Sequence, residues 1–398
     1  MPKILRIINR FNLGGPTYNA AYLTKYMAPE FETMLIGGER DETEESSLHI
    51  PHSLGITPII IEEMKRPIHP LQDYKAYQKI KSIIREFKPD IVHTHASKAG
   101  FIGRMAAYNQ GVPVIVHTFH GHVFHSYFNN ATTGLFKILE RYAASKSDAI
   151  IAISDKQKYE LSQIHNICSA EKISVIPLGF ELEKFTENTD EKRKSFRAHY
   201  NVDEDEIVIA IVGRLVPIKN HFLFLEALKQ VKEKTNKKIR AFIVGDGEDR
   251  KKIEEKATAL GIDFIDGLKS KDKATLTFTS WIKNVDWVNA GADIIALSSL
   301  NEGTPVSLIE AQASSKPIVS TAVGGIENVV IQGETALLSD KEDVDHFARN
   351  LLTLIENDDL RLKMSQKGKD FVFEHFHYKR LVKDMSTLYH QLLAQKQK

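Results

Sequence analysis

Two glutamates eight positions apart, Glu302 and Glu310, and two cations five apart, Arg214 and Lys219, are the residues whose types and spacing best suit chemistry. Glu302 lies in Ser298-Ser299-Leu300-Asn301-Glu302-Gly303-Thr304-Pro305, directly after the apolar run Asp293-Ile294-Ile295-Ala296-Leu297. That run reads as a buried strand. Thr304 and Pro305 then predict a helix with Thr304 as its N-cap and Pro305 at its first position. Glu310 falls inside this helix. Eight helical residues rise roughly 12 Å, so the two carboxylates cannot work as a close acid/base pair. They suit gripping two parts of one elongated ligand, with backbone N–H groups around Gly303 and Thr304 facing an anion between them. Arg214 and Lys219 follow a second apolar run, Ile207–Val212, through Gly213 and precede a helix carrying Phe222, Leu225 and Leu228. A planar guanidinium fork beside a mobile ammonium makes a clamp for a diphosphate; two solvent-facing cations are the plainer alternative.

The elements that must position these groups follow one pattern, an apolar strand feeding a glycine turn and then a helix. It recurs at Ile4–Ile8 before Gly14-Gly15-Pro16, at Phe242-Ile243-Val244 before Gly245-Asp246-Gly247, and at Ser320–Val323 before Gly324-Gly325. This order predicts α/β architecture with parallel sheets. Gly14 and Gly15 would let the backbone approach a ligand, although a plain tight turn explains them as well. Gly245 does not open a GxGxxG fingerprint, because Arg250 stands where the last glycine would be, so a dinucleotide fold is poorly supported. Trp281, after the strand Leu276–Phe278, is either a packing surface for a flat ligand or core. Leu381, Met385, Leu388 and Leu392, spaced four, three and four apart, predict a terminal amphipathic helix.

Composition narrows the classes. A chain of 398 residues is long for one core. Its net charge of +1 argues against bulk nucleic-acid binding, and its single cysteine, Cys168, excludes an intrachain disulfide framework and fits a reducing compartment. No leader peptide is expected from Lys3–Ile8, and no apolar run approaches the roughly 20 residues of a spanning helix. A cytoplasmic protein is predicted. A helix over 73–87 carries Lys75, Lys79, Lys81, Arg85 and Lys88 opposite its apolar side; a solvated face is the ordinary reading and contact with anionic lipid the sharper one. Six histidines between His93 and His125 invite a zinc reading. His93/His95 and His120/His122 alternate as strand residues do, however, and neither HExxH nor nearby cysteine or acidic ligands accompany them. Asp343-Val344-Asp345 precedes a helix and reads as its cap.

Together Gly-Arg-x4-Lys, Glu-x7-Glu within Ser-x-x-Glu-Gly-x-Pro, Gly-Gly at both 14–15 and 324–325, and Thr-x-His-Gly at 118–121 resemble the retaining, nucleotide-sugar-dependent glycosyltransferases of family 4. The resemblance covers nearly the whole chain and is most specific over 211–330. Two departures are Glu181 where the family usually has Asp, and Ser315 where it commonly has Gly. It implies the GT-B fold, two Rossmann-like doubly wound domains facing each other across a cleft. They would be an acceptor-side domain over 1–185 and a nucleotide-sugar domain over 186–372, with a helix over 373–398 crossing back to the first.

It further implies that Arg214 and Lys219 meet the pyrophosphate, Glu302 the donor sugar, Glu310 the ribose hydroxyls, and Gly14 and Gly15 the diphosphate. Gly245 and Trp281 would border the nucleotide, and His120 would lie beside the scissile sugar–phosphate bond. The cation pair and the acidic pair would then hold opposite ends of one activated sugar across an interdomain gap. The expected reaction takes a sugar, UDP-linked, to a hydroxyl of a saccharide or lipid-linked acceptor in cell-surface polysaccharide assembly. It would proceed with retention and need no metal or other cofactor, with peripheral contact at the inner membrane surface. A nucleotide-sugar 2-epimerase and a non-catalytic carbohydrate binder are the alternatives. The donor sugar, acceptor, linkage and oligomeric state stay open.

Overall fold

In the computed structural model of the chain, residues 13–14, 41–45, 66, 122–129 and 398 lie outside the described residues, as do the side chains of 130–133. Gly14, His122 and His125 are therefore not placed. The chain divides into two compact units, one formed by Met1–Phe180 with His375–Lys398 and the other by Glu181–Glu374.

The first unit is built on a sheet of β1 (Lys3–Arg10), β2 (Glu32–Gly38), β3 (Ile59–Ile60), β4 (Ile91–His95), β5 (Val114–Thr118), β6 (Ala149–Ala152) and β7 (Ile173–Val175). Its spatial order is β3-β2-β1-β4-β5-β6-β7, and every pairing is parallel. Runs such as Ile-Val at 91–92 and Val-Ile-Val at 114–116 are apolar without alternation because helices cover both faces of the sheet. The chain steps outward from β1 to β3 and returns to the other side of β1 as β4. The crevice at their carboxyl ends is therefore a topological switch point.

One face of this sheet is closed by the last helix, Tyr378–Lys396, which buries Leu381, Met385, Tyr389 and Leu392 with Ile4, Leu23, Ile91 and Val116. Leu388 packs at the edge of that cluster, and Tyr389 takes the central place beside it. Phe180 holds the start of this helix, donating from its N–H to Phe376 and accepting from Tyr378. The other face carries the helix Pro70–Phe87, which buries Ala76, Ile80 and Ile84 and turns its lysines outward. Lys79 pairs with Glu63 at 2.8 Å, while Lys75 and Arg85 are exposed.

In the second unit β8 (Ile207–Val212), β9 (Ile239–Val244), β10 (Phe264–Asp266), β11 (Leu276–Ser280), β12 (Ile294–Leu297), β13 (Ile318–Thr321) and β14 (Ala336–Ser339) form a sheet. It is ordered β10-β11-β9-β8-β12-β13-β14, again parallel throughout. Its switch point lies between β8 and β12. Asp343 accepts from the His346 N–H at 2.8 Å and caps the helix Val344–Glu356. Among the described residues no helix is long and apolar enough to cross a membrane.

One local expectation fails. The helix after β12 runs over Val306–Ala313, with Pro305 rather than Thr304 at the N-cap and no side-chain cap bond. Pro305, at ψ 89°, is still outside helical geometry, and its carbonyl accepts from Leu308 N–H to close the first turn. Thr304 thus belongs to the loop, and Glu310 is the fifth residue of the helix.

Candidate active site

The loops leaving β8 and β12 meet at the switch point of the second unit, because those strands are neighbours. Leu300 N–H donates to Ile218 O at 2.8 Å and Ser298 Oγ to Lys219 O at 3.0 Å, so the Glu302 loop is fastened along the Lys219 loop. Within that frame Lys219 Nζ lies 2.5 Å from Glu302 Oε1, and Ser299 Oγ donates to the same oxygen at 2.6 Å. Arg214 stands exposed at the head of the loop, and among the described residues no hydrogen bond or ion pair engages its guanidinium. The cation pair and the acidic pair are not apart in the free chain. Lys219 and Glu302 are side by side, and Arg214, Lys219, Glu302 and Glu310 all belong to the second unit. The cause is strand order, which brings together loops 83 positions apart.

Glycines let these loops pack backbone against backbone. Gly324, at φ 57°, and Gly325 press on the Glu302 and Gly303 carbonyls, where a Cβ on either would collide, and Gly325 N–H donates to Glu302 O at 3.0 Å. Gly245, at φ 140°, lies equally close to the Gly213 carbonyl. Asp246 joins the assembly through its carbonyl, which accepts from Leu215 N–H, and through Oδ2, which accepts from Ser280 Oγ at 2.9 Å. The glycine loops after β8, β9, β12 and β13 therefore make one continuous rim.

Glu310 lies in the second turn of the helix and is half-buried. Burial raises its carboxyl pKa to about 7, with Lys184 opposing and Asp286 reinforcing the shift. The group thus changes charge near neutrality, unlike an ordinary glutamate. Trp281 is 54% exposed, which rules out the core reading and leaves its ring free to pack against a ligand. The residues that sequence reasoning missed here are Ser299, which orients Glu302, and Ser280, which orients Asp246. Ser299 is the serine of Ser-x-x-Glu-Gly-x-Pro, a signal that was there without its role, whereas nothing in the sequence marks Ser280.

In the first unit, Gly15 opens the helix after β1 and is backed by the Leu178 side chain. The histidines form a layer on the carboxyl half of β4 and β5. His93 and His95, two apart on β4, are fully buried and face the same side, with ring centroids 4.2 Å apart. His93 Nδ1 bonds the Tyr389 hydroxyl at 2.6 Å and its Nε2 bonds Thr118 Oγ1 at 2.7 Å. His117 bonds Thr94 Oγ1 at 2.8 Å on the opposite side, packed so closely on Gly100 that no side chain fits there. His93 is thus bonded at both ring nitrogens, whereas His117 is bonded at Nδ1 alone and is held by packing. His120 lies beyond β5, its Nε2 bonded to His95 Nδ1 at 2.8 Å. Burial pushes its pKa down to about 3, so it is neutral at physiological pH. Among the described residues no group of three His, Cys, Asp or Glu is arranged to hold a metal ion.

Paired switch-point crevices on two parallel sheets, one rimmed by glycine loops and a Lys–Glu–Arg cluster, define the GT-B class of glycosyltransferase. Solved structures agree across the whole chain. A glycosyltransferase from Rickettsia africae superposes with a TM-score of 0.79 at 19% identity, covering 98% of each chain. HepE of Anabaena in complex with UDP gives 0.79 at 18% identity, covering 98% of this chain and 100% of that one. Residues 13–184 match the model of "Glycosyltransferase Family 4" and residues 192–371 that of "Glycosyl transferases group 1". An Escherichia coli UDP-Gal:α-D-GlcNAc-diphosphoundecaprenol α-1,3-galactosyltransferase is 30% identical over 353 residues, 86% of this chain and 85% of its own. The capsular polysaccharide biosynthesis glycosyltransferase CapM of Staphylococcus aureus is 25% identical over 83% of this chain and 84% of its own. The chain belongs to glycosyltransferase family 4.

Proposed function

We propose that this protein moves a sugar from a UDP-sugar to a hydroxyl of a saccharide or lipid-linked saccharide, with retention of configuration, in cell-surface polysaccharide assembly. The observation that carries the reading is the Lys219–Glu302 pair beside the exposed Arg214 at the second unit's switch point. The two cations are placed for a diphosphate, and the carboxylate for the hydroxyls of the attached sugar. In the free protein Lys219 and Glu302 neutralise each other. An incoming diphosphate offers Lys219 a second anion, which turns the ammonium towards the leaving group and frees Glu302 to accept from the sugar. Names among the relatives support the substrate class: the E. coli protein is named for UDP-Gal and a diphosphoundecaprenol acceptor, and the S. aureus protein for capsular polysaccharide.

In the proposed step the bond between the anomeric carbon and the phosphate oxygen breaks, and its electron pair stays on the diphosphate. The acceptor hydroxyl bonds the anomeric carbon from the same face and passes its proton to the departing phosphate oxygen. Arg214, Lys219 and neighbouring backbone N–H groups stabilise the charge that builds there, an electrostatic contribution that needs no reorganisation during the reaction. His120 orients the sugar and the phosphate as a neutral hydrogen-bonding group. Those cations take the part that a divalent metal plays elsewhere, so turnover is expected without one. We place the protein in the cytoplasm. The helix Pro70–Phe87, with Lys75 and Arg85 beside exposed Leu71 and Tyr74, would meet anionic headgroups when a lipid-linked acceptor is used.

A panel of UDP-, GDP- and ADP-sugars assayed with and without EDTA tests the proposal. UDP-sugar consumption unaffected by EDTA is expected, with UDP binding lost in Arg214→Ala. Accumulation of a C2 epimer by NMR with no transfer would overturn it, as would EDTA-sensitive turnover restored by Mn²⁺ for the metal-free part.

A further inference from the structure

The sequence singles out His120 and leaves His95 as a bystander. We propose that His95 is a positioning residue that donates its Nδ1 hydrogen to His120 Nε2 and so makes His120 present a hydrogen, not a lone pair, at Nδ1. This rests on the assignment of His120 above and adds the group that would set its tautomer.

The geometry leaves little freedom. His95 is fully buried, its ring between His93 at 4.2 Å and His120 at 5.0 Å between centroids. His93 cannot swing away. Arg6, fully buried at the position on β1 in register with His93, donates to Met27 Sδ at 2.9 Å and lies over the Tyr389 ring, 6.0 Å from its centroid. Both ring nitrogens of His93 are held, Nδ1 by the Tyr389 hydroxyl at 2.6 Å and Nε2 by Thr118 Oγ1 at 2.7 Å. Behind His95 there is thus a fixed wall of three side chains from β1, β4 and the last helix.

Between His95 and His120 the 2.8 Å contact runs from nitrogen to nitrogen, so one ring must donate and the other accept. Both rings are neutral, because burial holds each pKa well below the ordinary histidine value, and Arg6, His93 and His117 push His95 further down. Among the described residues His120 Nδ1 has no partner, although it is buried. A diphosphate oxygen beside a breaking bond accepts hydrogen bonds and cannot donate them. His120 can serve that oxygen only with its hydrogen on Nδ1. Its Nε2 must then accept, and His95 Nδ1 is the donor in place. The neutral histidine side chain in water prefers the Nε2–H tautomer, so without His95 the hydrogen of His120 returns to Nε2.

The test uses the full chain with ¹⁵N-labelled histidine and long-range ¹H–¹⁵N correlation spectra, which read each ring's tautomer directly. His120 is expected as the Nδ1–H form in the parent, as Nε2–H in His95→Leu, and as Nδ1–H again in His95→Asn, whose side-chain amide occupies the place of Nδ1. With the donor that the sugar-nucleotide panel identifies, His95→Leu should lose about 10- to 100-fold in kcat with little change in KM, as losses of orienting partners usually do. His95→Asn should recover most of that loss, and both variants should keep the parent's affinity for UDP. An Nε2–H tautomer for His120 in the parent overturns the inference. So does parental turnover in His95→Leu when His120→Ala is impaired, or no recovery in His95→Asn at equal melting temperature. Parental turnover in His120→Ala instead overturns the assignment of His120, and this inference with it.

Discussion

The two switch-point crevices of this protein are built on matching sheets and made of different materials. In the second unit the crevice is a rim of glycine loops with Arg214, Lys219 and Glu302 at or near the surface, close in sequence to the strands that deliver them. In the first unit it is backed by a buried polar layer in which Arg6, His93, His95 and Tyr389 meet from distant parts of the chain. The contrast separates two ways of placing charge. Surface cations keep their hydration until a ligand replaces it, so they are cheap to hold and ready to bind. Buried groups must be satisfied within the fold, and what they supply is orientation.

Five substitutions probe that contrast, and the largest effects belong to the two cations, Arg214 in the open and Lys219 paired with Glu302. Each charge-assisted hydrogen bond to a diphosphate is worth about 1.5–3 kcal/mol, so Arg214→Ala and Lys219→Ala should each weaken UDP binding by calorimetry about 10- to 100-fold. Melting temperatures should barely move. An equal loss of stability would mean that the cations are structural. Next comes the rim. Gly325→Ala drives a Cβ into the Gly303 carbonyl, and because neither backbone can yield freely the variant should lose about 1–3 kcal/mol in urea titrations, together with most of its turnover.

Glu310 gives an effect of intermediate size with a definite sign. Its carboxyl titrates near 7. Below that pH it is neutral and a weaker acceptor for the ribose hydroxyls it is expected to hold, so UDP affinity should climb as pH rises from 6 to 8 and stay flat in Glu310→Gln. Stability moves the other way. The folded state holds this proton more tightly than the unfolded chain, so that contribution is complete below the ordinary glutamate range and is lost as pH rises through about 7. The smallest effect is the control. Asp343→Ala removes a helix cap that makes no hydrogen bond to Arg214, Lys219 or Glu302, and should cost about 1 kcal/mol of stability without changing UDP affinity.

The same contrast explains what could be read in advance. Glu302 and Glu310, the Gly-Arg-x4-Lys loop and the glycine turns were legible because a strand end, a turn and a helix start leave local marks. The alternation of His93 and His95 showed that they share a strand face. What each histidine touches was not legible, because Tyr389 lies 296 positions from His93 and the pairing exists only once the last helix has docked. The Lys219–Glu302 pair was hidden for the same reason, since nothing local shows that β8 and β12 are neighbours. The start of the helix after β12 was misplaced by one residue, because Thr-Pro suits an N-cap and first position as well as it suits the loop found here.

The docking of Tyr389 against Arg6 has a consequence for biogenesis. Residues 1–180 leave the ribosome with a cationic side chain destined for a dry interior and no phenol yet available to meet it, while the whole of 181–374 is synthesised in between. The first-made unit is therefore the last to be completed. A nascent chain arrested before the terminal helix would carry open the apolar face of Ile4, Leu23, Met27 and Ile91 that this helix buries, the kind of surface that chaperones retain.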